Sequence, residues 1–107
     1  MPPSSRNAPP DRAVRQVLEV LGDYEAEHRH ADIHAYRQNS ASLRVRILDP
    51  DFRGLDRLQR EDAVWALLEK LPDDVRADIS LLLLLTPDEA ETSLASFEFD
   101  NPLPSSL

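Results

Sequence analysis

Cysteine is absent from this chain. Disulfides, thiolate nucleophiles, thiolate zinc sites and cysteine-held iron–sulfur clusters are therefore excluded by inventory. Long apolar runs are also missing. The longest, Leu81 to Leu85, is five leucines, far short of a bilayer-spanning segment. The first twelve residues contain no apolar signal-peptide core, which predicts a cytoplasmic location. Positive charge is scarce: 12 Lys and Arg stand against 20 Asp and Glu, a net charge of −8. That balance repels nucleic-acid phosphates overall, although a local basic stripe keeps the capacity to bind them. Glycine is limited to Gly22 and Gly54.

What is present fits one domain. A chain of 107 residues has no room for a second core and must bury nearly every large apolar side chain it owns. Proline crowds the two ends, at Pro2, Pro3, Pro9 and Pro10 and again at Pro102 and Pro104. This predicts a disordered segment over residues 1–10, a single folded unit over 11–99 and an extended tail over 100–107.

Within that unit, Asp11 can cap a helix whose apolar positions Val14, Val17, Leu18 and Leu21 recur at helical spacing. The predicted helix covers 12–28, with Gly22 weakening or bending it by about 1 kcal/mol relative to alanine. Residues 32–37 and 43–47 then read as two strands of a hairpin, joined by turn-forming Asn39, Ser40, Ala41 and Ser42. Leu43, Val45 and Ile47 alternate with Arg44 and Arg46, so one face of the second strand is buried and the arginines lie on the open face. Pro50 ends that strand, and Gly54 falls in a loop. Asp56 and Gln59 have capping-box spacing and open a helix over 57–70. Leu58, Val64, Trp65, Leu68 and Leu71 line its apolar side, and Pro72 stops it.

Residues 73–85 admit two readings. Val75, Ile79, Leu82 and Leu83 suit a helix, whereas the bounded leucine run suits a strand. A two-stranded hairpin is marginal alone and a third strand completes a sheet. The expectation is therefore a helical turn at 73–77 and a strand at 78–85. Thr86, Pro87 and Glu89 supply an N-cap, an N1 proline and a capping-box glutamate, which predicts a last helix to about residue 96 and an extended segment over 97–104. The fold class is α+β, in the order α-β-β-α-α-β-α, with helices on one face of a three-stranded mixed sheet. The second and third strands are parallel, joined by a right-handed crossover.

This order resembles the BolA-like family, whose fold is related to class II KH domains. The resemblance is carried by residues 43–48, by Phe52-Arg53-Gly54, by Arg60 and Val64, and by Leu84-Leu85-Thr86-Pro87-Asp88-Glu89. These correspond to the family's second strand, Phe-x-Gly loop, helix opening and Leu-Thr-Pro-x-Glu ending, and they span about residues 31–89. The resemblance implies an adaptor that partners monothiol glutaredoxins and shares an iron–sulfur cluster with them. Where the family places Arg-His-Arg, this chain has Arg60-Glu61-Asp62, and where it has a strand-opening histidine, this chain has Ser80. The loop at 39–42 likewise supplies no imidazole or thiolate. The fold is expected to carry over, the cluster is not, and no metal or cofactor is expected.

The remaining candidates for chemistry are weak. His30 and His34 would be i, i+4 neighbours on a helix, as in zinc sites, but the predicted elements separate them. With His28 they read as ordinary surface residues. Asp49 with Asp51, and Asp73 with Asp74, flank prolines in turns, where aspartate bonds its own backbone. The open face of the hairpin presents Arg44 and Arg46 with His34 and Tyr36, a surface able to bind nucleic acid. A KH domain uses a Gly-x-x-Gly loop that this chain does not have, so pairing with acidic side chains is the stronger reading. If residues 78–85 are a strand, alternate leucines expose either Leu82 and Leu84 or Leu81, Leu83 and Leu85. A cover is then required, from the tail through Phe97, Phe99 and Leu103 or from a second chain. The expected function is a non-enzymatic BolA-like adaptor or regulator, linked through that resemblance to glutaredoxin or iron–sulfur pathways. Its expected partner-binding residues are Arg44, Arg46, Phe52, Gly54, Arg60, Leu82 and Leu84. A KH-like nucleic-acid-binding module and a homodimer without ligand stay open as alternatives.

Overall fold

A computed structural model describes residues 11–102. The expectations for residues 1–10 and for the end of the tail, Leu103 included, lie outside them. The order is α1 (Arg12–Glu27), β1 (Asp32–Asn39), β2 (Ser42–Leu48), a 3-10 turn (Pro50–Phe52), α2 (Arg57–Leu68), α3 (Asp73–Asp78), β3 (Ile79–Leu85), α4 (Pro87–Thr92) and α5 (Leu94–Asp100). The strands form one sheet in the order β1-β2-β3, so β1 and β3 are its edges. β1 and β2 are antiparallel, with Ala35 opposite Val45, and β3 runs parallel to β2, with Val45 opposite Leu82. The leucine run is extended, as tertiary reasoning required. Among the described residues, no helix is long and apolar enough to cross a membrane.

The core follows from the alternation in β2. Leu43, Val45 and Ile47 point to one face, where they meet Val17 and Leu21 of α1, Val64 and Leu68 of α2, and Phe52. α1 begins where the Asp11 carboxylate accepts from the Val14 N–H at 2.8 Å, and it continues unbroken through Gly22. α2 departs from the expected apolar side. Leu58 is 66% exposed, and the inward positions are Arg60, Val64 and Leu68, with Trp65 half-buried against the core. The capping box at Asp56 and Gln59 fixes the first turn, and Leu58 then lies about 200° around the axis from Arg60.

The C-terminal segment corrects the predicted extended tail. α4 ends at Thr92, because Ser93 is extended and its Oγ accepts from the Ser96 N–H at 3.0 Å. That cap starts α5, so Phe97, Glu98 and Phe99 are helical. α5 lies on the second face of the sheet over the β2 arginines, while Leu81, Leu83 and Leu85 on that face stay partly exposed. Phe99 is 3% exposed and does the covering, whereas Phe97 points outward.

Candidate functional site

The arginine face is closed from within. Arg44 gives both Glu98 carboxylate oxygens a hydrogen bond at 2.8 Å from Nη1. Arg46, 5% exposed, donates to Asp100 at 2.9 Å and to the Ser96 hydroxyl at 3.0 Å. Its guanidinium stands 4.5 Å from the Phe99 ring centre. The Tyr36 hydroxyl donates to the Phe99 carbonyl at 2.7 Å. His34 Nδ1 lies 3.2 Å from Arg46 Nη2. The Arg46 hydrogen bonds hold the Asp100 carboxyl below its ordinary range. Glu98 holds the Arg44 guanidinium above its own. Pairing with acidic side chains is the stronger expectation for these arginines beside partner binding, and the structure shows such pairs, with Glu98 and Asp100 of α5 in the same chain.

Arg60 organises the other expected residues. At the opening of α2 its Nε donates to the Leu55 carbonyl at 3.0 Å, and Nη1 donates to the Leu84 carbonyl at 2.9 Å. Nη1 and Nη2 also grip the two Glu89 oxygens at 2.7 and 3.1 Å, a bidentate geometry. Glu89 is itself fixed as the capping-box glutamate of α4, accepting from the Thr86 N–H at 2.9 Å. Hydrogen bonds from Arg60 first, then from the Thr86 backbone, draw the Glu89 carboxyl down to about 2. Phe52 is buried beneath, its ring centre 5.4 Å from the guanidinium. Gly54 has φ of +83°, a left-handed conformation that side-chain-bearing residues disfavour. That turn brings the chain from buried Phe52 back to the start of α2.

One guanidinium thus ties a loop, the edge of the sheet and α4 together. Beside it runs a groove of about 530 Å³, walled by Leu55, Arg57 and Glu61 and floored by β3 with Leu83 and Leu85, with Ala95 of α5 opposite. The Leu85 carbonyl turns toward β2 and accepts from the Asp49 N–H, while the Leu84 carbonyl turns outward to Arg60. Backbone groups alternate in direction along a strand, so the Leu82 N–H and C=O also face outward at this edge. Of the two alternatives, Leu82 and Leu84 take the core side, which places Leu81, Leu83 and Leu85 on the other face and corrects the expectation of Leu82 and Leu84 as partner-binding side chains: Leu84 belongs to the core and Leu82 packs against it. Their backbone, rather than their side chains, forms the edge. Leu58 and Leu94, 66% and 86% exposed, are the chain neighbours of lining residues Arg57 and Ala95.

The position of the family's strand-opening histidine does not fit an iron–sulfur cluster. The Ser80 hydroxyl is engaged with the Ser42 hydroxyl and the Leu43 carbonyl, and Glu61 pairs with Arg57 at 3.0 Å. Two features escaped the sequence reading. Glu98 and Asp100 are the acidic partners of Arg44 and Arg46, and they come from a helix, α5, that the sequence reading does not predict. His28 meets Asp49 and Asp51, a grouping that no local pattern announces. In comparisons with known proteins, no family model matches the chain, and neither the curated proteins nor the solved structures give a match.

Proposed function

We propose that this chain is a non-enzymatic, cytoplasmic adaptor of the BolA-like kind that binds an extended segment of a protein partner along the outer edge of β3. The carrying observation is the unpaired outer edge of β3, set in a groove lined by Leu83 and Leu85 with partly exposed Leu55 beside them. An exposed strand edge offers backbone hydrogen bonds to an added strand, and apolar pockets beside it select side chains. Arg60 blocks the edge at Leu84, which limits a guest to the stretch around Leu82 and sets where it must stop. The reading is further supported by the order of elements and by the parallel β2–β3 pair, both of which the family resemblance implies. A monothiol glutaredoxin is the partner class that resemblance names.

Calorimetric titration of the full chain with purified, cluster-free monothiol glutaredoxin tests the proposal. One-to-one binding is expected, weakened about tenfold or more by Leu55→Asp and by Arg57→Glu, and unchanged by Arg15→Glu on α1. Absence of binding contradicts the partner class. Binding indifferent to Leu55→Asp contradicts the groove. Self-association to twice 12.1 kDa that Leu55→Asp abolishes assigns the edge to a second copy instead.

A further inference from the structure

His28 and the pair Asp49 and Asp51 are distant in sequence and adjacent in space. His28 ends α1, its backbone N–H held by the Tyr24 carbonyl. Asp49 follows β2 and caps the 3-10 turn, its Oδ1 accepting from the Asp51 N–H at 2.9 Å. His28 Nδ1 lies 2.9 Å from Asp51 Oδ2 and 3.4 Å from Asp49 Oδ2. One donor atom from each residue falls within 4.8 Å of the others.

The cluster is more than acidic groups meeting by chance at a surface. The Asp49 side chain is wholly buried, and Tyr24 donates its hydroxyl to Asp49 Oδ2. Each Asp49 oxygen therefore has one protein donor and keeps a further lone pair, an orientation typical of metal-ligating carboxylates. The His28 ring is stacked on Tyr24 at 4.0 Å with 12° between planes, which fixes its nitrogen relative to Asp49. Ligand atoms at adjacent vertices of an ion with bonds of about 2.1 Å stand roughly 3.0–3.5 Å apart, close to both imidazole–carboxylate distances. As an ion pair, His28 neutralises at most one of the two carboxylates. A divalent ion neutralises both.

We propose that His28, Asp49 and Asp51 bind one first-row divalent cation, with Tyr24 positioning Asp49. One imidazole nitrogen and two carboxylate oxygens suit Mn²⁺, Co²⁺ or Zn²⁺, whereas Ca²⁺ takes a larger all-oxygen shell. Half-exposed His28 and exposed Asp51 leave the outer side open to water or to a further ligand. This site is independent of the β3 groove.

Titration of the ¹⁵N-labelled full chain with Mn²⁺, followed by paramagnetic line broadening, tests it. Amides of residues 28–30, of Asp49 and of residues 51–53 are expected to broaden first, below one equivalent, and to recover when Zn²⁺ is added. Asp51→Asn, a change at an exposed side chain, removes the focus, and His28→Gln provides the same test from the other ligand. Tyr24→Phe weakens binding by about tenfold while keeping the ring stack. Broadening spread evenly over the acidic surface overturns the site, as does a focus that survives Asp51→Asn and His28→Gln. Equal affinity in Tyr24→Phe overturns the positioning role.

Discussion

The two faces of the sheet are covered by helices through opposite chemistry. On one, Leu43, Val45 and Ile47 meet the apolar sides of α1 and α2. On the other, Arg44 and Arg46 meet Glu98 and Asp100 of α5. Apolar burial is non-directional and largely indifferent to pH. Each pair joins a mostly buried guanidinium to an exposed carboxylate, so the arginine must overcome its desolvation and is left uncompensated when its partner is lost. Arg44 Nε and Arg46 Nε are buried without a hydrogen-bond partner, an unrecovered part of that cost. The covering of the second face is thus conditional on charge, while that of the first is not. This difference makes α5 the element expected to detach first.

Each of the following changes breaks or sharpens that contrast. Leu68→Ala, on the apolar face, empties a fully buried position and is expected to cost about 2–5 kcal/mol in urea unfolding. Arg46→Ala removes the contacts to Asp100, Ser96 and Phe99 together. It is expected to cost about 2–3 kcal/mol, with amide exchange in α5 rising before exchange in α1. Acid acts in the same direction and more weakly. Glu89 is lowered from 4.5 to about 2, and Asp100 is lowered from 3.8. Both bind protons less readily when folded, so their contribution is complete above pH 4.5 and disappears as pH falls toward 2. Hydrogen exchange of α4 and α5 should rise across that window while α1 stays protected. Gly22→Ala should stabilise slightly, by about 0.5–1 kcal/mol, because an added Cβ there meets nothing within 4 Å. It should leave the α5 behaviour unchanged.

The apolar face was the legible one. Alternation in β2 is a period-two signal that survives any context, and both capping boxes lie in a few consecutive residues. The strand at Ile79–Leu85 was ambiguous by pattern and was decided by the need to complete a sheet. The ionic face was not legible. α5 depends on Ser93 as a restart point and on charges more than fifty positions from their partners, which no local window contains. The resemblance points to Arg60 as a site residue, but the apolar pattern of α2 points to Leu58, not Arg60, as the buried position. A buried arginine satisfied by two carbonyls and a carboxylate breaks the apolar periodicity that sequence reading follows. The grouping of His28 with Asp49 and Asp51 was invisible for the same reason: it forms between the end of α1 and the turn after β2.

The central proposal is that a protein partner meets this fold at the β3 edge and not at its arginine-bearing face. Chemical-shift mapping of the labelled full chain during titration with cluster-free monothiol glutaredoxin tests it directly, because both regions report in one spectrum. The account predicts the largest changes at the Leu82 and Leu83 amides and at Leu55, with the Arg44 and Arg46 Nε–H signals unmoved. Changes concentrated at those two arginines and at Glu98 and Asp100, with β3 silent, would contradict it.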